Sequence, residues 1–453
     1  MEPIRTRSFR KPFSILLLAA AFFCFFPVSP AIGFVEGERE VALEEALLSA
    51  LRHNEQIAAS RHRVSQAEED VRIARSPMLP QVNLQGRHIR MKEVGPPGMQ
   101  GPDRYNEASI QASQVLFQGG KLRSGLHASR YAMESSRLED YRTREQILFA
   151  VSGAYYNALF ARRSVEIADN QLTRANRQLE LAQSRREVGL VDMTAVLRAR
   201  VQVAAAMEAI EEAKNNYSIA LEQLALEMGV ARPPESIQEP GPIELTDDLS
   251  VEHYVERAYE NRRDLIASEE GLQAAMKQVD AQQGDFLPTL SLEGSYSVVD
   301  DDDVYYGEND NWQAALVASY PLFTGMRDSA EVARARARQS EMAASVNRIK
   351  QEIRLDVRSA YADIQTRKKV VQHINDQVES ARANYEQVAA KFEEGLASTV
   401  DVVDAQTALN EAELSLANVY YRLQVDHLNL KLATGIFQED LLSQYTPDNT
   451  RQP

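Results

Sequence analysis

The chain has 453 residues, 44% of them apolar, 26% charged and only 7% aromatic, with one Trp. That is too apolar for a disordered chain and too poor in aromatics for a string of compact cores, so long helices are expected. A net charge of −16 argues against a nucleic-acid partner, and the single cysteine, Cys24, rules out an intramolecular disulfide or a Cys-based metal site. The seven histidines (53, 62, 88, 127, 253, 373, 427) include no HExxH pair, and no Walker loop or GxGxxG occurs. No metal or other cofactor is expected.

Arg5, Arg7, Arg10 and Lys11 precede an apolar run from Phe13 to Phe26, and Ser29-Pro30-Ala31 follows with small residues at −3 and −1. This is the pattern of a secretory signal over 1–31. A membrane anchor is the rival reading, but the run is short for a bilayer. Bulky Phe22 and Phe23 argue against lipidation of Cys24. Four bases and one acid leave with this segment, taking the charge from −16 to about −19. No later segment approaches 18 continuous apolar residues, so any membrane crossing must use strands.

The rest of the chain is one unit written twice. At an offset of 206, Leu116-Phe117 meets Leu322-Phe323, Ala154-Tyr155 meets Ala360-Tyr361, Gly189-Leu190 meets Gly395-Leu396, and Gly229 meets Gly435. At an offset of 208, Leu79-Pro80 meets Leu287-Pro288. The expected organisation is a first repeat over 32–230, a linker at 231–250, a second repeat over 251–436 and a polar tail at 437–453.

Each repeat opens with a helix, about 41–76 and 251–284. Two alternating segments follow. Leu290, Leu292, Gly294, Tyr296 and Val298 alternate with Thr289, Ser291, Glu293, Ser295 and Ser297, and Trp312, Ala314, Leu316, Ala318, Tyr320 and Leu322 form a second set. The first repeat has weaker versions: Val82 and Leu84 before a broken stretch to Met91, then Ala108, Ile110 and Ala112. Such segments suit a transmembrane β-barrel, with Trp312, Tyr320, Phe117 and Phe323 placed for an aromatic girdle. Two soluble β-hairpins would show the same alternation. The connecting loops are Gly95–Arg104 and Val299–Asn311, the latter holding Asp300 to Asp303 as a solvated acidic run.

A very long helix comes next. Residues 327–394 contain no Gly or Pro, and 121–188 contain only Gly125 and Gly153. Such a helix is about 100 Å long. Its far half and the return helix carry a heptad seam, with small or apolar residues at 165, 168, 172, 175, 179 and 182, then at 196, 199, 203, 206, 210 and 213. The second repeat does the same at 371–392 and 402–423. Each repeat therefore ends in an antiparallel coiled-coil hairpin, turned at Gly189 or Gly395 and capped by Asp192 or Ser398. A rod or stalk would share this periodicity. Four strands per chain cannot span a membrane alone, because open sheet edges cannot face lipid. Two chains give eight strands and a filled lumen; three give twelve and a conduit.

The tips Arg186-Glu187-Val188-Gly189-Leu190 and Phe392-Glu393-Glu394-Gly395-Leu396 lead into Thr194–Arg200 and Val400–Gln406. Together with Leu79-Pro80, Leu116–Gly120 and Asn429–Gly435, their order in both repeats resembles the TolC-type outer-membrane factor family over residues 41–436. The resemblance implies an α+β, mostly α membrane protein. It would be a homotrimeric channel-tunnel, with a 12-stranded transmembrane β-barrel in outer-membrane lipid and a long α-helical coiled-coil barrel in the periplasm. It also implies a passive, non-enzymatic exit duct for efflux or type I secretion, served by a periplasmic adaptor (membrane fusion) protein and an inner-membrane pump or transporter. The alternative is an exported coiled-coil scaffold or adhesin without a pore.

Carried over to this chain, the adaptor-docking tips are Val188, Gly189, Leu190, Glu394, Gly395 and Leu396. Asp401 and Asp404 match positions where the family places rings of carboxylates at the periplasmic entrance. Ser398-x-x-Asp401 is also a capping box, whereas capping does not explain Asp404. Some family members latch the mouth by polar links among the tips, and Ala195, Phe392 and Ala397 are poor donors and acceptors for that.

Overall fold

A computed structural model describes residues 40–90, 104–241, 249–301 and 310–437. The expected signal (1–31), Asp302 and Asp303, and the tail beyond Phe437 lie outside the described residues. In the first half α1 (Leu43–His53) and α2 (Glu55–Arg75) lead to β1 (Gln81–Arg90) and β2 (Arg104–Gln118), then α3 (Lys121–Glu187) and α4 (Met193–Met228). The second half repeats this as α5 (Val251–Asn261), α6 (Arg263–Gln283), β3 (Thr289–Asp301), β4 (Asp310–Ser319), α7 (Arg327–Glu393) and α8 (Thr399–Thr434). Helices before the strands repeat at 208 residues and those after at 206, so the two-residue difference falls within the strand hairpin.

The heptad seams are buried along α4 and most of α8 and alternate between buried and half-buried along α3. On α7 only Val378 and Phe392 are buried, and the other seam positions are half-buried. Ala175, Ala182, Val196, Ala199, Val203 and Ala206 close α3 against α4, and Val402, Ala405, Leu409 and Ala412 lie buried along α8. Alanine at so many of these positions lets the helices approach closely. The far part of α3 pairs with α4, while its strand-proximal part packs between α2 and α6, so two shorter helices cover one long one.

The leading helices are not continuous. Each breaks at one extended residue, Asn54 (ψ 123°) or Arg262 (ψ 115°). The cause is tertiary. The C-terminal glycine of a return helix, Gly229 or Gly435, presses on that break; a Cβ on Gly229 would lie 2.5 Å from the His53 carbonyl, and one on Gly435 2.8 Å from the Arg262 nitrogen. Both glycines are left-handed, at φ 72° and 74°, which terminates the helix and clears the contact in one step.

The linker is equally structured where it is described. Ile237 is buried and bridges Val41 in parallel. The Tyr155 hydroxyl sits 2.8 Å from the Val41 carbonyl and 2.6 Å from that of Gln238. Arg162 donates to the Ile237 carbonyl and pairs with Glu239 at 2.9 Å, and the Tyr421 hydroxyl donates to Glu239 at 3.0 Å. Burial pushes both tyrosines well above the ordinary phenol pKa, so they stay protonated donors. Phe437, at the head of the tail, is fully buried beside Phe149.

The four strands form one antiparallel sheet in the order β1-β2-β3-β4, with the β2–β3 pairing joining the two halves. The stretch of β1 expected to be broken is a continuous strand. β3 runs on through Asp300 and Asp301, which pair with Asn106 and Tyr105, so the expected loop is shorter than Val299–Asn311.

Candidate functional site

The register sorts the sheet into two faces, because residues opposite one another across strands share a face. Val82, Ala112, Gly294 and Ala314 form one cross-strand row, and Leu84, Ile110, Tyr296 and Trp312 the next. Between them run Asn83, Gln111, Ser295 and Gln313, then Gln85, Ser109, Ser297 and Asn311. One face is therefore apolar and the other polar. The apolar residues are not covered by the chain: Leu84 is 78% exposed and Trp312 75%. The polar face is concave, with a hollow of about 420 Å³ lined by Asn83, Gln111, Ser113, Glu293, Ser295 and Gln313. An apolar outside around a polar inside is the reverse of a soluble sheet packed on its own core. Among the described residues no helix is long and apolar enough to cross a membrane.

At the other end of α3 and α7 the two tips adopt the same turn. The Gly189 amide donates to the Arg186 carbonyl at 3.0 Å and the Leu190 amide to that of Arg185 at 2.8 Å; Gly395 and Leu396 repeat this with Phe392 and Lys391. These are Schellman turns, which need the left-handed glycines (φ 76° and 81°). The residue after such a glycine usually packs back on its helix. Here Leu190 and Leu396 are each 74% exposed, and Val188 is also out in solvent. Val188, Gly189, Leu190, Glu394, Gly395 and Leu396 thus make two similar projecting points.

Asp401 and Asp404 lie close behind the second tip, both exposed and one helical turn apart, on the face of α8 away from Val402 and Ala405. Asp401 is occupied locally. Its carboxylate accepts the Ser398 amide and hydroxyl, each at 2.8 Å, and its own amide donates to the Ser398 hydroxyl at 3.3 Å. The Ser398 amide and hydroxyl hold its carboxyl below the usual Asp range. Among the described residues no cap or ion pair engages Asp404.

The polar links that sequence reasoning missed run between the two hairpins. Arg174 on α3 reaches Asn410 at 2.5 Å and Glu413 at 3.4 Å on α8, and its guanidinium lies 5.8 Å from the Tyr385 ring of α7. Gln406 donates to the Gln171 carbonyl at 3.3 Å, and Arg382 shares Glu413 at 3.3 Å. Nearer the tip Arg185 donates to the Glu393 carbonyl and lies 4.8 Å from the Phe392 ring centroid. Phe392 is indeed no donor, yet its ring receives a cation. The available signal was the row Gln171, Arg174, Gln178 and Arg185, polar residues at helical spacing beside an apolar seam.

A sheet with an apolar outer face and open edges, carried on duplicated helical hairpins, defines a subunit of a membrane channel. The chain belongs to the outer membrane efflux protein family, whose model matches residues 46–230 and 254–436. It is 26% identical over 400 residues to the outer membrane protein TolC of Escherichia coli K12, covering 83% of this chain and 79% of that protein. It is 22% identical over 420 residues to the cation efflux system protein CusC of the same strain, covering 89% and 87%. Its fold matches crystal structures of CusC with a TM-score of 0.78 at 20% identity, over 87% of this chain and 92% of that one. The Vibrio cholerae outer membrane protein VceC matches at 0.75 and 22%, over 87% and 96%. The protein is an outer membrane efflux channel and not an enzyme; channels of this type are trimers that dock efflux partners.

Proposed function

We propose that three copies of this chain close a 12-stranded barrel in the outer membrane, continued through the periplasm by the long helices as a passive exit duct. The duct serves a tripartite efflux or type I secretion system. The observation that carries this reading is the sheet: its faces sort into apolar and polar, and among the described residues β1 and β4 each keep one unpaired edge. An unpaired edge is intolerable in lipid, and pairing β4 of one copy with β1 of the next removes all edges at once. A pore-free scaffold has no use for a polar concave face. The protein is expected to fractionate with outer membranes, to leave them only in detergent as a trimer, and to conduct ions in planar bilayers. A soluble monomer would overturn the reading.

The projecting tips support docking of a periplasmic adaptor at Val188, Gly189, Leu190, Glu394, Gly395 and Leu396, with an inner-membrane pump or transporter supplying energy. In a trimer Asp401 and Asp404 would recur three times around the periplasmic mouth, forming a cation-attracting ring. Asp404, with no side-chain bond among the described residues, is the stronger contributor. Replacing Asp404 with Ala is expected to relieve block by multivalent cations in bilayer recordings without loosening the α8 cap. Unchanged block in the Asp401→Ala/Asp404→Ala double variant would remove the ring from the proposal.

A further inference from the structure

The sheet ends in an apolar belt, and the helices begin beneath it with arginines. Leu79, Leu116, Phe117, Leu287, Leu322 and Phe323 stand exposed where strands meet helices. Immediately below, Arg72 and Arg75 close α2 and Arg123 opens α3, all three exposed. At 1.5 Å per residue they lie within about 6 Å of the strand-proximal helix ends. The direction of Arg123 follows from the hollow shared by α3, α6 and α7, which Gly125 and Ala132 line from α3. Arg123 is two residues from Gly125, about 200° around the helix, and so projects from the side opposite the hollow. Arg130 does the same against Ala132, and Arg336 is its counterpart 206 residues on.

Most acids at this level are taken, although Asp70, exposed on α2 two residues before Arg72, has no ion pair among the described residues. Asp285 is held by Lys121 at 2.7 Å, Asp328 by Arg327 at 3.0 Å and Asp280 by Lys277 at 2.9 Å. Arg75 and Arg123 have no ion pair among the described residues, and Arg72 has only an exposed pair with Glu69 on its own helix, worth little. A chain of net charge −16 thus carries three exposed arginines against one unpaired acid directly below an apolar belt.

We propose that Arg72, Arg75 and Arg123 form a collar that binds the phosphate headgroups of anionic glycerophospholipids in the leaflet bordering the helical part. Guanidinium groups match phosphate geometry bidentately, and their stems lie along apolar surface while the charge reaches the headgroup layer. The proposal rests on the reading that the four strands cross a membrane. Each arginine near such a surface favours an anionic lipid by about fivefold over a zwitterionic one.

The test uses the purified full-length trimer in detergent, titrated with phosphatidylglycerol or phosphatidylcholine of identical acyl chains, with bound lipid counted by native mass spectrometry. Phosphatidylglycerol is expected to be retained at least tenfold more tightly. The Arg75→Gln/Arg123→Gln variant is expected to lose most of that preference while still conducting in bilayers. The Arg198→Gln/Arg200→Gln control removes two equally exposed charges near the first tip and should leave the preference intact. Equal retention of both lipids by the wild type overturns the collar, as does an equal loss in the tip control, which would indicate only the net charge. Displacement of phosphatidylglycerol by millimolar inorganic phosphate also overturns it, by showing a simple anion site. Failure of the wild-type trimer to insert into vesicles of either lipid would instead overturn the membrane reading.

Discussion

The two halves of this chain share every element boundary to the residue for α3 and α7, α4 and α8, yet they differ where each meets something else. At the break in the leading helix the first half has Asn54, which caps α2 by accepting the Gln56 amide and donates to the Glu227 carbonyl, both at 2.9 Å. The second half has Arg262 in the same place, holding Asp264 through two bonds (2.6 and 3.1 Å) and Asp356 at 2.8 Å. Gly119 approaches the other half so closely that a Cβ would sit 2.3 Å from the Gly284 carbonyl oxygen; its counterpart Gly325 faces open space. The tips differ in sign. Residues 171–205 hold six arginines and three acids, whereas 377–411 hold two bases and seven acids. Duplication kept the backbone plan and released the side chains, because the same wall position has different neighbours in each copy.

Glycine substitutions should separate the shared plan from its context most sharply. Gly229→Ala and Gly435→Ala meet backbone atoms as well as an unfavourable φ, and each is expected to cost about 3–5 kcal/mol, read as loss of trimer yield and thermal stability. Gly189→Ala and Gly395→Ala have the same φ problem and open space, so about 1–2 kcal/mol is expected. Equal effects at all four sites would show that the close approach at the break does not matter.

The break residues come next. Arg262→Met removes both guanidinium bonds to Asp264, leaving it the Leu265 amide at 3.0 Å and Arg142 at 3.9 Å in a partly buried site beside Glu145, whose carboxyl burial pushes above the usual Glu range. A loss of about 3 kcal/mol is expected in thermal unfolding, against about 1–2 kcal/mol for Asn54→Ala. The tip caps add a pH test. Asp401 has a lowered carboxyl pKa, so its cap is complete above the ordinary value of 3.8 and is lost only as pH falls through the lower one. Proteolytic sensitivity of the second tip should stay flat from pH 7 to 5 and rise only below 4; a rise near pH 5 would exclude that role.

The smallest effect is expected at Met326. It is the one non-glycine residue at positive φ among the described residues (65°), where the first half has Gly120 at 82°. Met326→Gly should raise stability by about 1 kcal/mol or less, since relief of the left-handed conformation is partly offset by chain entropy. A loss of stability would indicate that the exposed Met326 side chain is held by a neighbouring copy.

Periodic features were legible in the sequence because they are local. The seam positions from Ala175 to Ala206, the tip glycines, the Asp192 and Ser398 caps and the alternation of β3 and β4 all follow from spacing within one element. The break at Asn54 and Arg262 was not legible, since neither residue is a helix breaker; Gly229 and Gly435, over 170 residues away, impose it. The packing of the linker was not legible because its anchors, Tyr155, Arg162 and Tyr421, sit on distant helices. For the candidate site, the Ser398–Asp401 capping box was legible from its spacing, and the structure bears it out, whereas the contacts of Arg174 and Arg185 between the hairpins were not.

Spacing along the chain is enough to define a duplicated strand-and-hairpin unit with apolar strand faces and glycine-turned tips, because hydrophobic period and breaker placement are written residue by residue. Tertiary structure alone decided which half touches which: β2 beside β3, Arg174 between the two hairpins, Gly119 against Gly284. Those contacts join residues with no common period, and an arginine or a glutamine carries no local mark of the carboxylate or carbonyl it will meet after folding.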